Sequence, residues 1–150
     1  MSQSTRAQVS DAAGRAGRRR PWPARALAAV EAIVGVNAVV GGWKLIDDGY
    51  GMPVEWLSRL PVDTWVWPGV ALIVGVAVPQ FAAAAAAVLG DRPQRGYRLG
   101  LAVGAALVLW IVVQLALLQR YFFLQPVIVG FGLLEIGLAL RWRHLVTAPS

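Results

Sequence analysis

The chain has 150 residues, of which 57% are hydrophobic and 15% charged, and carries a formal net charge of +6. A mean hydropathy of +0.58, with the apolar residues gathered in blocks, excludes an ordinary soluble domain, where apolar residues make up about 45–50% and recur periodically. The absence of cysteine removes disulfides, thiolate metal sites, thiol redox chemistry and palmitoylation.

Residues 1–24 form a basic tail of Ser, Gln, Ala, Gly and Arg with almost no large apolar side chain. It cannot bury enough surface to offset its ordering entropy and is expected to be disordered. The run Arg18-Arg19-Arg20-Pro21-Trp22-Pro23 suits anionic lipid headgroups, where each basic residue contributes about 1 kcal/mol. Nucleic acid is not an expected partner. The apolar run that follows is too long for a cleaved leader; it holds Glu31 and Asn37 and ends Gly41-Gly42-Trp43-Lys44 without a small-residue cleavage site.

Four segments satisfy the ~20 apolar residues that a helix needs to cross ~30 Å of hydrocarbon: residues 25–46, 65–90, 99–118 and 121–140. In the first, Gly35, Ala38 and Gly42 share a face with Glu31. Asp47 to Gly51 reads as a turn; without the third acidic position and Glu of a calcium loop it is not a metal site. Met52 to Pro61 reads as a short amphipathic helix on the outer surface, with Pro53 in its first turn and Val54, Leu57 and Leu60 on one face.

The second span opens with Trp67-Pro68-Gly69, where an early proline is tolerated because first-turn amides lack helical partners. Pro79, deep in the span, should bend the helix and free a carbonyl, and Ala82 to Ala87 suggests close packing. In the third span Gly100 and Gly104 begin a small-residue face that continues through Leu107 and Ile111 to Gln114, whose amide is expected to bond across helices. The fourth opens with Gln125-Pro126 and lines Gly132, Glu135 and Ala139 along one face. The matching openings of spans two and four suggest two related helical hairpins. Residues 25–143 thus form the membrane domain and 144–150 a C-terminal tail.

Eleven of the fourteen basic residues fall before the first span, between the second and third, or after the fourth, whereas the first loop holds Asp47, Asp48, Glu55 and Asp63. The positive-inside rule places both termini in the cytoplasm. Aromatic belts agree, with Trp43, Trp65, Trp67, Tyr121, Phe122 and Phe123 outside and Trp22, Tyr97 and Trp142 inside. The expected fold is all-α: a compact transmembrane four-helix bundle without a wide aqueous pore.

At about 1.5 Å per residue, Glu31 and Glu135 each lie roughly 9 Å inside the cytoplasmic boundary, and Gln80 falls near that level. Asn37 is near the midplane. Ionisable groups in hydrocarbon usually face the bundle interior, so these three residues are a candidate proton or cation site. The plainer reading is that each carboxyl is neutral, or paired with Arg25 or Arg141, and fixes helix register. His144, the only histidine, lies beyond the last span, which leaves no intramembrane imidazole for haem or a di-iron centre. No cofactor, metal site or catalytic Ser/His pair is expected, and the chain does not read as an enzyme.

The string Gly41-Gly42-x-x-Leu45-Ile46-Asp47, then Gly51-Met52-Pro53, Trp56-Leu57 and Trp67-Pro68-Gly69, with Trp110 to Gln114 and Leu124-Gln125-Pro126, resembles small four-span bacterial membrane proteins of uncharacterised activity. In size and topology the chain is also similar to the broader DoxX-like group. That resemblance, over about residues 26–140, implies a four-span bundle and no transferable activity. The Ala, Arg, Gly and Val bias suits a high-GC bacterium and its plasma membrane. Two functions are expected in order: a structural or accessory subunit packing through Gly35, Gly42, Gly100, Gly104, Gln114 and Gly132 against itself or a membrane-protein partner, and a small proton- or cation-coupled transporter using Glu31 and Glu135.

Overall fold

The computed structural model describes residues 20–148; the basic stretch 1–19, for which disorder and headgroup binding are expected, lies outside the described residues. Four helices are each long and apolar enough to cross a membrane: α1 (Trp22–Asp48), α2 (Val66–Leu89), α3 (Pro93–Leu118) and α4 (Leu124–Thr147). Among the described residues there is no strand.

Local chemistry sets the helix ends. Pro23 and Pro93 occupy first-turn positions of α1 and α3, where a missing N–H costs nothing. Gly49, at φ 61°, closes α1 with its N–H on the Leu45 carbonyl, the left-handed cap that glycine adopts without a Cβ clash. Gln119 does the same for α3 at φ 49°, bonding Leu115. α3 begins six residues before the expected span and α4 runs seven beyond it, because the helical hydrogen-bond ladder continues past the apolar stretch into Arg-bearing turns. Tyr121 to Phe123 belong instead to the connection, which Gln125 folds: its Oε1 accepts from the Phe122 N–H at 3.0 Å and its Nε2 donates to the Arg120 carbonyl at 3.3 Å.

The expected disturbance at Pro79 takes a specific form. α2 is α-helical over Val66–Leu72 and Val78–Leu89, but Ile73–Ala77 between them is π-helical. Proline's ring clashes with the carbonyl four residues back and offers no N–H to it; a widened turn just before Pro79 relieves both problems.

The turn expected over Asp47 to Gly51 is shorter: Asp47 and Asp48 finish α1, and Gly49–Gly51 form a 3-10 turn in which Asp48 Oδ1 accepts from the Tyr50 N–H at 2.8 Å. After it comes a 3-10 turn over Val54–Leu57. Leu57 is buried while Val54 is exposed, so this segment folds partly onto the bundle. Trp65, expected in an aromatic belt, is buried there: its ring lies against Gly49 and its Nε1 donates to the Met52 carbonyl at 3.1 Å.

The helices pair as two hairpins. α1 runs along both halves of α2, and α3 along α4. Each seam closes where glycine backbones meet: a Cβ on Gly42 would lie 2.7 Å from the Gly69 carbonyl oxygen, and one on Gly104 would lie 2.9 Å from that of Gly132. Gly35 leaves similar room for the Phe81 ring.

The hairpins meet closely at only one end, where α3 packs on Val78–Leu89 of α2 rather than on Val66–Leu72. There Ala24, Leu27, Ala87, Ala139 and the edge-to-face pair Tyr97–Trp142, with ring centroids 6.3 Å apart, form a tight core. The Arg20 guanidinium caps that end by donating to the Gly90 carbonyl. Tyr97 and Trp142 are therefore core residues rather than interfacial aromatics, as Gly96 gives the Trp142 indole its space. At the other end the hairpins part above a second core layer of Val34, Ala38, Val76, Ala77 and Leu107.

Candidate functional site

Between the two core layers sit the three polar residues that helical rise places at one depth. Glu31 and Glu135 are each 0% exposed and Gln80 1%. They come from α1, α4 and α2, and their backbones are brought together by small residues on α3. A Cβ on Gly100 would lie 3.1 Å from Glu31 Oε1, and one on Gly104 would lie 3.1 Å from the Glu135 Cβ. Any larger side chain at these two positions would invade the layer.

Gln80 Nε2 donates to Glu135 Oε2 at 3.0 Å. Glu31 reaches the same level from α1, with its Oε1 over Gly100 one turn from Gly104 on α3. Four oxygens in this layer are buried without a hydrogen-bond partner: both of Glu31, Oε1 of Gln80 and Oε1 of Glu135. Buried polar atoms are nearly always satisfied, and an exception calls for an ion, a water or a chemical role. Neither Arg25 nor Arg141 pairs with a glutamate. The sole ion pair among the described residues is Lys44–Asp48 at 2.7 Å, so of the two plainer alternatives the neutral carboxyl stands and the arginine pairing is not seen. Those residues also contain no group of three His, Cys, Asp or Glu that could hold a metal. Chemically the layer offers two carboxyls, a Gln80 amide with one of its two N–H groups on Glu135, and four acceptor oxygens without a partner.

Toward the parted ends the bundle opens into a cavity of about 780 Å³ that touches all four helices and both long connections. Its wall is apolar and aromatic, with Trp56, Trp67, Trp110 and Phe131 prominent, and Arg120 stands over the Trp56 ring at 5.7 Å. Asn37 lines it too, its Nδ2 donating to the Ile33 carbonyl of its own helix at 2.8 Å. Gln114 is half-buried in the wall. Among the described residues no hydrogen bond joins it to another helix, contrary to expectation.

Val76 and Leu107 form the cavity floor and also line a small void of about 20 Å³ shared by Gly75, Pro79 and Gln80. A void needs roughly 10–15 Å³ to hold one water. The cavity is thus separated from the carboxyl layer by the second core layer, with a space of water size beside the π-helical turn on the Val76 and Leu107 side.

Residue patterns brought Glu31, Gln80 and Glu135 together but missed the cavity and its rim. Trp56 and Arg120 are far apart in sequence, and aromatic residues at span ends read as belts. A usable signal was Trp110, a lone indole inside an apolar run, away from any interface. No family model, curated protein or solved structure matches the chain.

Proposed function

We propose that this multi-pass membrane protein is a small proton-coupled transporter of a bacterial plasma membrane, with both termini cytoplasmic. The orientation rests on the charge bias of the loops and the source on composition. The single observation that carries the functional reading is the fully buried Glu31–Gln80–Glu135 layer with four unpartnered oxygens. A proton held between one Glu31 and one Glu135 oxygen supplies a partner to both of them, and from this layer the π-helical turn leads toward the cavity. Intramembrane carboxyls facing a bundle interior commonly serve as such relays.

The test is flux in liposomes containing a pH-sensitive dye. With a membrane potential imposed, wild-type protein acidifies the lumen, and Glu31→Gln or Glu135→Gln abolishes the response. Acidification at the wild-type rate in both variants removes the layer from the function.

A structural or accessory subunit is the second reading, and the structure changes its basis. Gly35, Gly42, Gly100, Gly104 and Gly132 are occupied in packing within the chain and offer nothing to a partner. What favours this reading is a different face of α4, where Gly130, Leu133, Leu134 and Gly137 are exposed and nothing lies within 4 Å of a Cβ built on either glycine. Co-purification of a second membrane protein, lost on Gly137→Leu, would support it. The similarity in size and topology to DoxX-like proteins adds no residue to either reading.

A further inference from the structure

We propose that the cavity between the hairpins is a binding site for one anionic acyl-chain lipid taken from the surrounding leaflet, with its headgroup at Arg120 and its chain running down to Val76 and Leu107. The inference does not rest on the carboxyl layer, which lies below the floor and borders the site only where Gln80 shares a small space with Val76 and Leu107.

Depth is the first argument. Along α2 the wall runs nine residues from Trp67 to Val76, and along α3 eleven from Leu118 to Leu107. At about 1.5 Å per residue both give roughly 14–17 Å, half of the ~30 Å hydrocarbon core. The cavity is one leaflet deep, so a lipid can enter it without leaving its own depth in the bilayer.

Charge is the second. Among the described residues Arg120 is the one basic residue in the cavity wall, and none of their carboxylates lines it. Its guanidinium is exposed, rests on Trp56, and forms no ion pair among the described residues. A planar guanidinium fixed on an aromatic face is disposed to take a phosphate by paired N–H bonds. The other polar side chains of the wall are Tyr50, whose hydroxyl lies near Gly41, Asn37, satisfied by its own helix, Gln125, bonded to the connection before α4, and Gln114, about 6 Å below the Leu118 end of α3 by helical rise. The Gln114 amide is free for a polar linkage near the head of the chain. A volume of about 780 Å³ lies within the range of roughly 300–1,000 Å³ typical of sites that enclose a small ligand.

The experiment is native mass spectrometry of the full chain released from detergent after equilibration with equal amounts of phosphatidylglycerol and diacylglycerol, which lacks the phosphate, carrying the same acyl chains. Wild-type protein should retain one lipid, with phosphatidylglycerol favoured about tenfold, the equivalent of one charge-assisted contact. Arg120→Gln should bring the preference to near unity while still retaining lipid. Ala71→Phe and Val113→Phe fill the cavity from opposite walls, and each should lose the retained lipid; using both guards against one failing to fold. Equal retention of the two lipids by wild type, an undiminished preference in Arg120→Gln, lipid still held by the filled variants, or a lipid-free dimer would each overturn the assignment.

Discussion

Gln80 and Glu135, 55 residues apart in sequence, are joined at 3.0 Å by an amide-to-carboxyl hydrogen bond with no exposed atom on either side. This bond ties the two hairpins together at the one level where they meet through polar groups. Interhelical bonds of this kind contribute about 0.6 kcal/mol on average and up to ~1.7 in membrane proteins. A double-mutant cycle of Gln80→Leu with Glu135→Leu, read by unfolding in mixed micelles, should give a coupling in that range. A coupling of zero would mean that the two side chains are neighbours without being partners.

The glycines divide into two classes that substitution should separate. At Gly104 a methyl group would stand 2.9 Å from a backbone oxygen of α4, while at Gly137 it meets nothing within 4 Å. Gly104→Ala should therefore destabilise by about 1–3 kcal/mol through forced separation of α3 and α4. Gly137→Ala should stabilise by up to ~1 kcal/mol from the backbone entropy of the unfolded chain and better helix propensity. Thermal unfolding of the two variants in one detergent provides the comparison.

Gln119 closes α3 in the left-handed region at φ 49° and its side chain is exposed. A non-glycine residue held there is strained by roughly 1–2 kcal/mol. Gln119→Gly should raise the unfolding temperature, since glycine takes this cap freely. A decrease would show that the Gln119 side chain contributes more than its backbone strain removes.

Pro79 is the cause assigned to the π-helical turn, and that turn coincides with the point where α2 leaves α3. Restoring the N–H in Pro79→Ala permits a continuous α-helix, so Val66 at the start of α2 and Leu117 near the end of α3 should draw closer. The cysteine-free chain makes paired spin labels at these two positions straightforward. An unchanged distance distribution would attribute the turn to packing around Gly75 instead.

Much of this arrangement is legible in the residues themselves. Four apolar blocks give four helices, and counting rise from charged and aromatic boundaries puts Glu31, Gln80 and Glu135 in one layer, because depth depends only on helix geometry. Which side chain fills which space is not legible from depth. Tyr97 and Trp142 sit at span ends and carry the signature of a belt, yet they pack inward because glycine recurs every fourth residue at Gly96, Gly100 and Gly104; extending the stripe back to Gly96 would have exposed the vacancy the indole fills. The cavity was hidden for a different reason: it arises from the divergence of two hairpins above a π-turn, and no single segment encodes that angle.

The most direct test of the account is infrared difference spectroscopy of the carboxyl stretch in bilayers across a pH titration, with single Glu31→Gln and Glu135→Gln variants to assign the bands. A shared proton predicts that both carboxyls change state together and that replacing either one displaces the titration of the other. Two bands that titrate independently, or that stay fixed throughout, would contradict the proton-sharing layer and leave Glu31 and Glu135 as structural groups.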